Sequence, residues 1–336
     1  MSVISSLLFI LATSAGVRAQ LKLSRTYDKD NFFDQFFFRD RAYYLKLINA
    51  NEPTNGFVEY VSKAEATSSG LAEVRGDQVY IGVDSKDRVS TNGGIGRKAV
   101  RLESKQTFDT GLLVADIQHM PDSACGTWPA FWTFNFEEDP YSEIDILEGN
   151  GTPTQNANTV SLHTCGSCSF PSLEGPDLRQ DCDLHAGANC DGGNNPGGCG
   201  VDGAKGSYGT SMNDNEGGVY ATLLDDSGVR IWFFPRSKIP EDLASGTPNP
   251  TVSAWGAPQA NMESGKSCNV QKKFSNQTIV INTTFCGDII DNWDQQTAGS
   301  PQCRSAPGGT CESYVGSNPE AYKEAYWLFN SIKLYQ

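Results

Sequence analysis

Three acidic residues stand close together near the middle of the sequence: Glu143, Asp145 and Glu148, in the run Ser142-Glu-Ile-Asp-Ile-Leu-Glu-Gly149. Two carboxyl groups flanking one sugar linkage are what glycosidic cleavage needs. One must be ionised to meet an oxocarbenium-like centre, and the other must carry a proton for the leaving oxygen. A third acid nearby raises the pKa of at least one of the set, because like charges oppose ionisation. That effect would keep Glu148 protonated near working pH, as a general acid must be. The plainer alternative is three acids on a solvated strand face.

The spacing decides which backbone could serve such chemistry. Glu143, Ile144, Asp145 and Ile146 alternate acidic and apolar, as in a half-buried strand. Pro140 precedes the run and Gly149-Asn-Gly151 follows it. A helix would set Glu143 and Glu148 about 140° apart around its axis. A regular strand would point Glu148 away from Glu143 and Asp145. A β-bulge near Ile146-Leu147 adds one residue and returns Glu148 to their face. The two glutamates are then about four strand steps of ~3.3 Å apart. Side chains leaning together could close that gap to the ~5–5.5 Å of a retaining glycosidase.

The elements that must hold this strand are themselves β-rich. Runs such as 56–61, 78–83, 99–103, 111–117, 218–224, 229–234, 278–282 and 326–335 are rich in Val, Ile, Tyr, Phe and Leu, with turn residues between them. Many such runs in one chain predict an all-β sandwich of jelly-roll type. A helical pattern is nearly absent, apart from one turn expected within 318–325. The stretch 170–215 is rich in Gly, Asn, Asp and Pro yet carries Cys182, Cys190 and Cys199. A linker seldom holds three cysteines, so it reads as a long loop stapled to one domain over 20–336.

The segments that surround the acids carry a resemblance. They are 96–102 (Gly-Arg-Lys-Ala-Val-Arg-Leu), 116–121, 125–133 (Cys-Gly-Thr-Trp-Pro-Ala-Phe-Trp-Thr), the acidic run itself, 162–164, 218–221, 231–236, 284–288 and 325–327. In this order, and across most of the mature chain, they are similar to glycoside hydrolase family 16, in particular its fungal laminarinase-like endo-β-1,3(4)-glucanases. The resemblance implies a concanavalin-like β-jelly roll with a cleft across its concave sheet. It implies Glu143 as nucleophile, Glu148 as acid/base and Asp145 as their electrostatic partner. The bonds it implies are β-1,3 or mixed β-1,3/1,4 linkages in glucan, cut within the chain. Two positions depart from the pattern. Asp139-Pro140-Tyr141-Ser142 stands where relatives have Trp-Pro-containing sequence, and Ile289 stands where they carry Trp. Tyr141 or Trp293 would then supply the missing aromatic surface.

Other residues fall around this nucleus. Trp128 and Trp132 are four apart and share a face of any strand they occupy. Trp132 reads as a sugar platform, because its strand is expected beside that of Glu143. Trp128 reads equally as platform or core, and Trp232 as core. His163, on the next stretch, either lines the cleft beside the acid or is structural, and His119 and His185 read as structural.

The wider composition sets bounds. The chain has 336 residues and a net charge of −14, which disfavours nucleic acid and anionic membrane surfaces as partners. A neutral polysaccharide meets no such objection. An apolar run over 7–12 and the small-x-small triplet 17–19 predict a signal peptide over 1–19 and a secreted, extracellular product. Ten cysteines then favour disulfides over a zinc or redox reading of Cys165-x-x-Cys168. Asn276 and Asn282 begin glycosylation sequons; Asn150 also begins one, but it abuts the acidic strand and is not expected to carry a glycan. No cofactor is required. A structural Ca²⁺ is compatible with the fold, although no run of ligands marks a site. A monomer is expected. The alternatives are a non-catalytic β-glucan-binding protein, whose mark would be a lost catalytic acid, and a cell-wall transglycosylase, in which a shorter Glu-x-Asp-x-Glu spacing is usual.

Overall fold

A computed structural model describes residues 21–135, 141–171, 179–184, 198–251, 253–290, 293, 303 and 309–336. The expected leader, Asp139-Pro140, His185 and Cys190 lie outside these residues. The described strands are β1 Leu23–Tyr27, β2 Phe36–Phe38, β3 Val58–Tyr60, β4 Ala72–Arg75, β5 Gln78–Gly82, β6 Arg97–Ala99, β7 Arg101–Phe108, β8 Gly111–His119 and β9 Thr127–Asn135. They continue with β10 Ser142–Glu148, β11 Ala157–Thr164, β12 Cys199–Lys205, β13 Gly218–Asp225, β14 Gly228–Pro235, β15 Ala260–Glu263, β16 Gln277–Phe285 and β17 Tyr326–Tyr335.

Two antiparallel sheets face each other. One runs β15-β14-β13-β8-β17-β5-β4, with β1 also on β17; the other runs β12-β11-β10-β9-β16-β7-β2. Between them lies an apolar layer. Phe131, Ile144, Ile146, Leu147, Ile279 and Ile281 come from the seven-stranded sheet, and Leu113, Ile117, Tyr220, Ile231, Trp327 and Phe329 from its partner. Alternation explains the division. On β9, Phe131 is buried while Trp132 and Phe134 stay half-exposed on the opposite face. The all-β jelly-roll sandwich expected from the sequence is therefore the architecture found, and every β-rich run named above overlaps at least one strand. Trp232 is core, as expected. It packs with Trp255, rings 5.3 Å apart, in a cluster on the outer face of the eight-stranded sheet.

Helix is more frequent than the sequence reading allowed. Helices span Arg41–Ile48, Lys63–Ser68 and Cys311–Ser317, beside the expected turn, which is a 3₁₀ helix at Pro319–Tyr322. They are too short to show a periodicity, and capping defines them instead. Asp40, Ser62 and Thr310 each accept a hydrogen bond from a backbone N–H of the first turn. No helix among the described residues is long and apolar enough to cross a membrane.

Disulfides join Cys125–Cys303, Cys168–Cys268, Cys182–Cys199 and Cys286–Cys311, and Cys165 is disulfide-bonded as well. The Cys165-x-x-Cys168 motif is thus not a zinc half-site. The cysteine-bearing stretch after Phe170 is stapled as expected, but it also supplies β12, an edge strand of the seven-stranded sheet. One sequon is corrected. Asn282 lies on β16 with 4 % exposure, and its amide bonds Trp132 and Thr284, so the folded chain offers no attachment point there.

Candidate active site

Strand β10 sits between β9 and β11 in the seven-stranded sheet. Its pairing with β9 runs Glu143 to Phe134, Asp145 to Trp132 and then Leu147 to Phe131, so Ile146 is the extra residue of a bulge. The same irregularity interrupts its pairing with β11 between Asp145 and Glu148. Ile146 and Leu147 both enter the core, at 0 % exposure, and Glu148 returns to the face of Glu143 and Asp145. Energetics favour this register. A regular strand would drive the Glu148 carboxyl into the apolar layer, at a cost of several kcal/mol if it stayed ionised.

Each acid meets a different hydrogen-bond partner. The Tyr141 hydroxyl donates to Glu143 Oε2. His163 Nε2 lies 3.0 Å from Asp145 Oδ2. Trp128 Nε1 donates to Glu148 Oε1 at 2.8 Å. The sequence left Trp128 divided between platform and core; its body packs beside the cluster of Tyr44, Tyr60 and Phe285, while its N–H serves the acid. Glu143, Asp145 and His163 bring three ligand-type atoms within 4.8 Å of one another.

Burial first, then the charges of Glu143 and Glu148, push the Asp145 carboxyl well above the usual range. Glu148 is also raised, again by burial first; the Trp128 hydrogen bond opposes that rise and Glu143 adds to it. Tyr141 is pushed far up by burial and then by Glu143, so its hydroxyl keeps its proton and remains a donor. Such a set holds a proton on an acid at pH values where an exposed glutamate has lost it.

Trp132 lies half-exposed on the same face. Its indole N–H donates to Asn282 Oδ1 at 2.7 Å, and the Arg101 guanidinium sits 5.0 Å from the ring centroid. Asn282 is held in turn by Thr284 Oγ1, which shares a 2.6 Å bond with Tyr60. Beyond Arg101 the face continues as a pocket lined by Phe37, Arg39, Tyr43, Tyr44, Glu103 and Phe134, among others. Trp293 is placed differently from the expectation of an open aromatic surface. It is 8 % exposed and packs with Tyr314, Cys286 and Cys311 in an apolar cluster, against which Ile289 also rests.

Sequence reasoning missed Arg101, Asn282 and Asn158. Asn158 is fully buried on β11; its Nδ2 donates to Ile146 C=O at 2.7 Å and its Oδ1 accepts from Glu148 N–H at 2.8 Å. These are backbone groups of the bulge. Nothing local to Asn158 signals the contact, because the partner strand is ten residues away in sequence for Glu148.

Comparison with known proteins gives the chain its relatives. Residues 45–335 match the model of an XgeA-like, catalytic GH16 domain. The endo-1,3(4)-beta-glucanase XgeA of Emericella nidulans is 40 % identical over 96 % of this chain and 48 % of its own length. The chain thus spans about half the length of the curated relatives it matches. A solved elongating GH family 16 β-1,3-glucosyltransferase is 40 % identical, with a TM-score of 0.77 over 94 % of this chain and 100 % of that one. Laminarinase 16A of Phanerochaete chrysosporium, solved with 6-O-glucosyl-laminaritriose in donor and acceptor sites, is 34 % identical, with a TM-score of 0.79 over 95 % and 100 %.

Proposed function

The chain belongs to glycoside hydrolase family 16, and from that premise we propose that it is an endo-acting, retaining hydrolase of β-1,3 or mixed β-1,3/1,4 glucan. The observation that carries the reading is the bulge, which sets Glu148 on the face of Glu143 and Asp145 beside Trp132. In the first step the Glu143 carboxylate attacks the anomeric carbon. The bond to the leaving sugar breaks, and the Glu148 proton passes to the departing oxygen. A glycosyl ester on Glu143 results. In the second step the Glu148 carboxylate takes a proton from water, whose oxygen attacks the anomeric carbon and releases Glu143. Asp145, with His163 against it, sets the charge around both glutamates. Trp132 and Tyr141 line the sugar site, and Trp128 orients the acid. The route as written uses side-chain carboxyls and water and calls on no cofactor. Four described disulfides favour an exported product.

Replacing Glu143 by Gln should lower turnover of laminarin and mixed-linkage glucan by roughly 10³-fold or more, with the melting temperature kept. Wild-type activity in that variant would remove the assignment. A second reading is supported by the likeness to the elongating glucosyltransferase: a sugar hydroxyl replaces water in the second step. Chromatography of products made from laminari-oligosaccharides separates the two, because transfer lengthens some chains and hydrolysis only shortens them.

A further inference from the structure

A bulge that adds one residue breaks the ladder on both sides, and the freed backbone groups must be satisfied in some other way. Here the Ile146 carbonyl and the Glu148 N–H are turned towards the start of β11, where one side chain meets both. Asn158 donates to the first at 2.7 Å and accepts from the second at 2.8 Å. Its own backbone N–H is taken by Ser207 Oγ at 2.9 Å, and Ser207 C=O accepts from the Tyr220 hydroxyl at 2.5 Å on the opposite sheet. Asn158 is 0 % exposed, so no water competes for its amide. An amide side chain presents one donor and one acceptor side by side in this way. We propose that Asn158 is the positioning residue for Glu148, fixing the bulged register in which that glutamate faces the sugar linkage.

This rests on the proposed role of Glu148 as acid/base. Without Asn158, two buried backbone groups of the bulge lose the hydrogen bonds it makes to them, and a buried polar group left unpaired is destabilising. The bulge can then relax towards a regular pleat, which turns Glu148 from the face shared by Glu143, His163, Trp128 and Trp132. Asn158 touches no sugar-facing atom of the site, so loss of its amide should reach the reaction through proton donation and leave glucan binding in place.

The test uses the full chain carrying Asn158→Ala or Asn158→Asp. A natural glucan needs its leaving oxygen protonated, whereas a 2,4-dinitrophenyl leaving group does not. For N158A, kcat on laminarin should fall about 10- to 100-fold, a part of the ~10²–10⁴ that a general acid supplies. KM should stay within about twofold, and the first, glycosylation step on 2,4-dinitrophenyl β-laminaribioside should slow less than about threefold. N158D keeps the acceptor for Glu148 N–H and should recover part of the loss. Amide exchange adds a readout independent of activity: Glu148 N–H should be protected in the wild type and in N158D, and lose protection in N158A. Should N158A fail to fold, N158D and the wild type still decide. The proposal is overturned if the Glu148 amide of the wild type exchanges freely, or if folded N158A keeps its laminarin rate. Equal slowing on both substrates overturns it too. A wild type that cleaves neither substrate while its Glu148 amide is protected would fault the hydrolase reading and leave the Asn158 clip standing.

Discussion

Replacing Trp128 by Phe removes one N–H and keeps most of the ring. In the wild type that N–H donates to Glu148 Oε1 at 2.8 Å. An indole nitrogen can only donate, so Oε1 is always the acceptor and the acid's proton sits on Oε2. A hydrogen bond to an ionised group is worth about 1.5–3 kcal/mol, roughly twice one to a neutral acid. The ionised form of Glu148 therefore gains about 0.7–1.5 kcal/mol from Trp128 beyond what the protonated form gains. At 1.36 kcal/mol per unit this is about 0.5–1 pH unit. The bond opposes the rise that burial imposes on Glu148, so its loss lets the acid keep its proton to higher pH. The basic limb of kcat/KM on laminarin should move up by that amount in Trp128→Phe. Trp132→Phe is the control: its N–H serves Asn282, so it should weaken binding and leave the limb in place. A limb that stays still in Trp128→Phe, or moves to lower pH, refutes the assigned contact or the assigned acid.

Glu148→Gln should be more stable than the wild type at pH 7 while losing hydrolysis. A carboxyl raised on folding lowers stability as pH climbs from its unfolded value, about 4.3, towards its folded one. The gain, on the order of 2 °C in melting temperature for ~1 kcal/mol, should vanish below about pH 4; an equal gain at pH 3.5 would contradict the linkage. Changing both Cys168 and Cys268 to Ser opens a cross-link between residues 100 apart in sequence, and should cost about 2–4 kcal/mol by calorimetry or denaturant melts.

The acids were legible because alternation and spacing act locally. Glu143 and Glu148, five apart, could share a face of a strand only through one inserted residue, and the insertion is at Ile146. The strands were legible for the same reason, since apolar runs of Val, Ile and Phe declare themselves in a few residues. What escaped was contributed across distance. Arg101, Asn282 and Asn158 reach the site from other strands, and their types alone say nothing of chemistry. Trp293 looked available for a sugar until the Cys286–Cys311 link gathered an apolar cluster about it. The short helices escaped because a cap such as Asp40 or Thr310 is a one-residue signal that many loop residues share.

The extra residue at Ile146 also changes what the strand can tolerate. Losing or gaining one position inside a sheet ordinarily turns every later side chain to the wrong side. Excising Ile146 from this chain would instead leave Glu-Ile-Asp-Leu-Glu in an unbroken pleat, with all three acids still looking outwards. Two lengths of the same segment are therefore interchangeable in orientation. A lineage can shorten or lengthen this strand by one codon without inverting its acids.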